Sequence, residues 1–271
     1  MRVAWATDIH LSFVSDREAV ALCDRILAKS ARALLLGGDI AEAVDLEHWL
    51  LLVEERLPIP IYFVLGNHDF YGASFSETRA LAARLALLSP RLVWLCGSPW
   101  QRLTETTALV GHGCWGDGRL GAGMASRVQL NDFLHIRDLS GLSREARFAE
   151  LARQGDLAAA TLDQQLAQAL PQVQTCMVLT HVPPFAEACW HNGHPIPPET
   201  MAQDGWLPHF ACAAAGEVIL KHARQNPDKH ITVLSGHTHT RTAVRILPNL
   251  TARVGAAEYR VPRFESILQV P

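Results

Sequence analysis

Charged residues are scarce in this chain. Asp, Glu, Lys and Arg make up 19% of its 271 residues, and the formal net charge is −3. No Lys/Arg cluster lies near the histidine-bearing motifs, so a broad surface for nucleic acid or membrane is not expected. Cysteine pairs are lacking as well. Cys23, Cys96, Cys114, Cys176, Cys189 and Cys212 never fall at C-x-x-C spacing, which removes the signal for thiolate zinc sites and thioredoxin-like redox motifs. Scattered thiols of this kind are expected to be free, mostly buried and suited to a reducing compartment. No stretch approaches about 18 consecutive apolar residues, so no membrane span is expected. The start of the chain does not read as a signal peptide, because the run after Met1-Arg2 is short and reaches a candidate ligand by Asp8. A cytoplasmic protein is the resulting expectation. No internal repeat or low-complexity tract is visible, and no domain boundary, so residues 1–271 are read as one domain.

Apolar residues make up 49% of the chain, enough to bury a large core without disulfides. The first third alternates strand and helix signals. Val3 to Thr7, Ala33 to Leu36 and Ile61 to Leu65 read as buried strands. Capping boxes at Ser15–Glu18 and Ser74–Glu77, and a start at Asp45, open the helices between and after them. This β-α-β-α-β order predicts a parallel arrangement. Leu92 to Leu95, Ala108 to Val110, Ile231 to Leu234 and Phe264 to Val270 are further strands, and Thr242 to Ile246 and Leu250 to Val254 form a hairpin. Gly111 to Gly123 is a loop, Ala125 to Leu170 reads as helical, and Ala211 to Ala223 is a helix. Residues 117–170 are read as a helical insertion beside the site, although they could equally only buttress a sheet. Residues 186–210 form a long irregular loop of the kind that tends to be functional.

Five apolar runs end in a carboxylate, an amide or a histidine: Asp8-Ile9-His10, Asp39, Asn67-His68-Asp69, His181, and His237-Thr238-His239. If the runs are strands of a common architecture, their ends emerge along one edge. Seven donors, Asp8, His10, Asp39, Asn67, His181, His237 and His239, could then meet and hold two divalent metal ions. A mixture of oxygen and imidazole donors suits Mn, Fe or Zn better than Mg or Ca. In an extended segment residues i and i+2 point the same way, which would let each D-x-H or H-x-H pair present two ligands to one side. Gly37, Gly38, Gly66 and Gly236 sit just before ligands, where turns off a strand end need unusual backbone angles. Alone, any of these motifs is more often a cap, a turn or a solvated pair. Five in one chain, each at the end of an apolar run, point to a dinuclear site.

The blocks D-x-H, G-D, G-N-H-D, a lone His and G-H-x-H, in this order over residues 8 to 239, resemble the calcineurin-like metallophosphoesterase superfamily. The resemblance implies a four-layer α/β/β/α sandwich with two mixed sheets and the site at the strand C-terminal ends. It implies that Asp8, His10 and His239 hold one metal, that Asn67, His181 and His237 hold the other, and that Asp39 bridges them. His68 would sit over the substrate as acid or transition-state stabiliser, with Asp69 orienting its imidazole. A hydroxide held between the metals would attack phosphorus in line with the leaving oxygen. Asp69 stands where protein Ser/Thr phosphatases carry Glu, and Gly38-Asp39-Ile40-Ala41-Glu42 lacks their basic residue. The blocks resemble the bacterial phosphodiesterase and phosphohydrolase branches more closely.

The expected activity is therefore hydrolysis of a small phosphodiester or phosphomonoester. A nuclease is the alternative within enzymes, and a non-catalytic scaffold or a metal-storage site lies outside them. His112, Trp115, Arg119, Tyr71 and His191 are candidates for contact with substrate, from their places beside the motifs or in the irregular loops.

Overall fold

A computed structural model describes all of residues 1–271. The first half comprises β1 (Arg2–Ala6), α1 (Asp16–Ala28), β2 (Ala33–Gly37), α2 (Leu46–Arg56), β3 (Ile61–Val64), α3 (Phe75–Leu88) and β4 (Leu92–Trp94). The second half comprises β5 (Gln101–Arg102), β6 (Thr107–Gly111), α4 (Asp132–His135), α5 (Arg144–Ala169), β7 (Thr175–Leu179), α6 (Leu207–Phe210), α7 (Ala213–Gln225), β8 (His230–Ser235), β9 (Thr242–Leu247), β10 (Leu250–Val254) and β11 (Ser266–Gln269). Both expected capping boxes form. Ser15 and Ser74 receive the N-terminal turns of α1 and α3, and Glu18 and Glu77 reach back to the backbone N–H of each serine at 2.8 Å.

The strands make two mixed sheets. One has the order β11-β1-β2-β3-β4, with β1 to β4 parallel and β11 antiparallel on the edge. The other has the order β5-β6-β7-β8-β10-β9, parallel from β6 to β10 with an antiparallel strand at each edge. Side chains alternate between faces along a strand, and the cores divide accordingly. Val3, Trp5, Leu35, Leu109, Met177, Leu179 and Leu234 pack between the sheets. Ala4, Ala6, Leu34, Leu36 and Phe63 face outward onto α1, α2 and α3. Val110, Cys176, Val178 and Val233 face outward onto Ala158, Leu162 and Leu166 of α5 and Ala215, Ile219 and Ala223 of α7. Three apolar interfaces separate four layers, which is the expected sandwich.

The middle of the chain departs from a continuous helical reading. The C-terminal half of α5 is the outer helical layer over the second sheet. The residues before α5 are mostly turns, apart from a 3-10 turn at Gly123–Ala125 and the single turn of α4. Ser126 diverts the chain there, because its hydroxyl accepts from Val128 N–H at 3.2 Å and donates to Gly205 C=O at 2.7 Å. The cysteines are all free, and all but Cys96 are buried. No helix is long and apolar enough to cross a membrane.

Candidate metal centre

All seven candidate ligands follow the carboxyl ends of parallel strands: Asp8 and His10 after β1, Asp39 after β2, Asn67 after β3, His181 after β7, His237 and His239 after β8. The two sheets are stitched together at this edge. His237 N–H donates to Asp8 Oδ1 at 2.9 Å, and His181 Nδ1 lies 3.0 Å from Gly37 C=O. The i, i+2 pairs do not reach the site as extended strand, contrary to the expectation. Asp8, His10, Asp39, His237 and His239 all have positive φ, from 42° to 71°. Five non-glycine residues in the left-handed region store strain at one place, as functional sites commonly do. Among the glycines named above, only Gly38 has a positive φ, of 85°. Gly66 and Gly236 are required for close approach instead. A Cβ on Gly66 would meet Asp39 Oδ1, and on Gly236 Asp8 Oδ2.

The donors form two groups joined at Asp39. In the first, donor atoms of Asp8, His10, Asp39 and His239 all lie within 4.8 Å of one another. His239 Nε2 is 3.3 Å from Asp8 Oδ1 and 3.2 Å from His10 Nε2. In the second, Asn67 Oδ1 lies 3.0 Å from both His181 Nε2 and His237 Nδ1. Asp39 faces both groups, with Oδ2 3.9 Å from His10 Nε2 and Oδ1 3.3 Å from His181 Nε2.

Protonation decides what this arrangement is. Burial lowers His181 and His237 from 6.5 to about 4, and His10 to about 3, so all three imidazoles are neutral near neutral pH. A neutral imidazole has one N–H and one lone pair. His181 Nδ1–H donates to Gly37 C=O and His237 Nε2–H to His209 C=O, at 3.0 and 3.1 Å. Their other nitrogens therefore turn lone pairs toward Asn67. The amide of Asn67 is oriented too, because its Nδ2 donates to Asp132 Oδ1 at 2.9 Å. Its oxygen thus faces the two imidazole lone pairs. Three acceptors converge with no proton between them, a repulsive arrangement that a bound cation turns into coordination. Burial pushes Asp39 well above the usual carboxylate range, and the nearby Asp8 and Asp69 push it further. Asp8 is pushed up by burial but held below its ordinary value overall by the His239 hydrogen bond and the surrounding imidazoles. A cation allows Asp39 to ionise beside Asp8. The residues present fit a pair of divalent metals.

His68 projects beside this cluster. Its Nε2 is 4.0 Å from Asp39 Oδ2 and 3.3 Å from the Tyr259 hydroxyl, and its ring stacks on Tyr71 with centroids 4.3 Å apart. Asp69 does not orient it, and the expected contact is corrected here. The Asp69 carboxylate accepts from the N–H groups of Ile40 and Ala41, both at 2.9 Å, and of Gly66 at 2.7 Å. It ties the loops after β2 and β3 together. His68 Nδ1 is buried without a partner.

Among the substrate candidates, Tyr71 stands at the site, donating its hydroxyl to Asp132 Oδ1 at 2.6 Å. His191 is one ring removed. It stacks on Trp206 at 4.6 Å and lies 5.7 Å from Phe210, which in turn meets His237 at 5.5 Å. The other three are not brought to the opening. His112 is buried, with Nδ1 accepting from Cys114 N–H. Trp115 is core, edge-on to Phe70 and Phe75. Arg119 is held by Asp117 and Asp156 at 3.0 and 2.6 Å. Sequence reasoning missed Asp132, Tyr259 and the His209 carbonyl, none of which lies in a motif.

Comparison with known proteins gives the family and the fold. Residues 1–241 match the family described as Calcineurin-like phosphoesterase, and the chain belongs to it. The family uses a dinuclear divalent metal centre, and this protein is a metallophosphoesterase, a hydrolase of phosphoesters. A phosphopantetheinyl hydrolase from Mycobacterium tuberculosis is similar in structure, with TM-score 0.62 at 14% identity, covering 97% of this chain and 94% of that one. A dimetal phosphatase from Danio rerio gives TM-score 0.56 at 11% identity, covering 94% and 87%. Likeness at these identities concerns the fold. No curated protein matches the sequence.

Proposed function

We propose that this protein hydrolyses small phosphate esters, diesters or monoesters, with two ions drawn from Mn, Fe and Zn held by Asp8, His10, Asp39, Asn67, His181, His237 and His239. The converging acceptors at Asn67 Oδ1, His181 Nε2 and His237 Nδ1 carry this reading. One metal belongs with Asp8, His10 and His239, the other with Asn67, His181 and His237, and Asp39 serves both. When bound, the pair lowers the pKa of a coordinated water toward neutrality and neutralises charge on the phosphoryl oxygens.

The chain supplies the rest. Burial keeps His68 at about 4, so it is neutral near neutral pH. Donating an N–H hydrogen bond to the leaving oxygen suits it better than acting as an imidazolium. Asp132 holds the Asn67 amide with its oxygen toward the ligand cluster and, through Tyr71, supports the ring beneath His68. Residues 1–271 act as one unit in this reading. The stretch 117–170 contributes Asp132 to the site and α5 to the outer layer, and 186–210 brings His191 near its rim.

Hydrolysis of p-nitrophenyl phosphate and its bis ester, with Mn, Fe or Zn supplied, tests the proposal. Release of nitrophenol from either ester, with two metals per chain by elemental analysis, is expected. No activity with any metal, or less than one metal per chain, would refute it.

A further inference from the structure

We propose that the groove bounded by Phe13, Tyr259 and His135 receives the leaving group of the substrate and selects one carrying a planar ring. The inference rests on the hydrolytic reading above and adds the substrate class. The groove is about 420 Å³ and is lined by Phe13, Glu42, His68, Tyr71, Asn131, His135, Tyr259 and Arg260. His68 Nδ1 is buried, so Nε2 is the nitrogen available to the leaving oxygen, and it lies 3.3 Å from the Tyr259 hydroxyl. Whatever is attached to that oxygen must therefore pass along Tyr259. Aromatic rings line the path. Tyr259 lies 4.4 Å from His10 and meets Phe13 edge-on at 5.6 Å, while Tyr71 and His135 rings lie 5.2 Å apart on the other wall.

Two of these rings are left open. Tyr259 is 46% exposed and Phe13 39% exposed, so adjacent apolar faces border the candidate site. Exposed aromatic faces of this kind are stacking platforms for planar groups. The backbone holds Tyr259 there at a cost. Val261 N–H closes a tight turn onto Glu258 C=O at 3.1 Å, and within it Arg260 has φ 68°. An arginine in a conformation that favours glycine is an outlier worth a functional reading. It places a guanidinium on the rim, where it can pair with an anionic substituent of the bound group. The strap around the turn is fixed at both ends. Ala257 N–H donates to His239 C=O, Glu265 N–H to Trp5 C=O, and Arg25 to Pro262 C=O. The strap lies beyond residue 241, past the residues that match the family.

Adenosine 5′-monophosphate carries a purine base where ribose 5-phosphate has a hydroxyl at C1, so they form a paired set of probes. Calorimetric binding of each to the Mn-loaded protein tests the groove, even if the wild type turns over neither. The wild type should bind the adenosine compound at least roughly tenfold more tightly, the scale of one stacked ring. Tyr259→Ala and Phe13→Ala should weaken it about tenfold and leave ribose 5-phosphate unchanged, whereas Tyr259→Phe should keep the preference. Equal affinity of the wild type for both probes would overturn the proposal. So would a loss in Tyr259→Ala that is the same for both, or a Tyr259→Phe variant that behaves like Tyr259→Ala. Metal content and circular dichroism of each variant separate these outcomes from misfolding. Failure of the hydrolytic reading is registered separately, as absent nitrophenol release by the wild type.

Discussion

His68 and Asp132 do different work at the residue scale, and mutation separates them. His68 lines the opening, whereas Asp132 is buried and does not. His68→Ala should lower kcat by about 10²–10³, the cost of losing one transition-state donor, with two metals per chain retained by elemental analysis. Unchanged kcat would remove His68 from the chemistry. Asp132→Ala leaves the Asn67 amide free to turn its NH2 toward the cluster. Metal affinity measured by chelator competition should fall about 10–100-fold. Asp132→Asn keeps an acceptor at Oδ1, where both Asn67 and Tyr71 donate, and should restore most of the affinity. Equal loss in both variants would show a packing role instead. The G-N-H-D block made Asn67 legible, but the sequence says nothing about which way an amide points. That is decided by Asp132, 65 residues away.

At the element scale, the loops after the strands carry the site, and they are shaped more tightly than their glycines alone indicate. The apolar runs and caps located β1, β2, β3, α1 and α3 to within a few residues, because burial and capping leave periodic, local marks. Alternation failed two residues past β1, β2 and β8, where Asp8, Asp39 and His237 adopt positive φ. Gly66→Ala tests how closely the loops after β2 and β3 approach. Its Cβ would collide with Asp39 Oδ1 and come within 2.8 Å of His181 Cε1, one ligand from each group. Metal content should drop below one per chain by elemental analysis while the circular dichroism spectrum stays α/β. A Gly66→Ala protein with two metals would mean the loops can spread without cost. Asp69 belongs at this scale as well, since it binds the loop backbones and not the imidazole it adjoins in sequence.

For the whole molecule, the balance of buried titratable groups sets the acid response. Burial holds His10, His68, His112, His181, His209 and His237 at about 3 to 4 in the folded chain, against 6.5 when unfolded. Between those values the unfolded chain binds more protons at six positions, so acidification favours unfolding. Asp39, Asp69 and Asp132 are raised by burial and act in the opposite sense, taking up protons in the folded chain. Six groups outweigh three. The Tm of chelator-treated protein should therefore fall as pH drops from about 6.5 toward 4, and a flat or rising Tm would contradict the depressed histidines.

What the sequence determined by itself was most of the strands, the order of the blocks and the seven candidate donors, because each depends on residues adjacent in the chain. What the tertiary structure decided was the company those donors keep. Asp132 on Asn67, the His209 carbonyl on His237 and Tyr259 on His68 join segments up to 191 residues apart. The same stacking of two sheets cut off His112 and Trp115 in the core. Local pattern records that a side chain is buried or turned, whereas the packing of distant layers selects which atoms it faces.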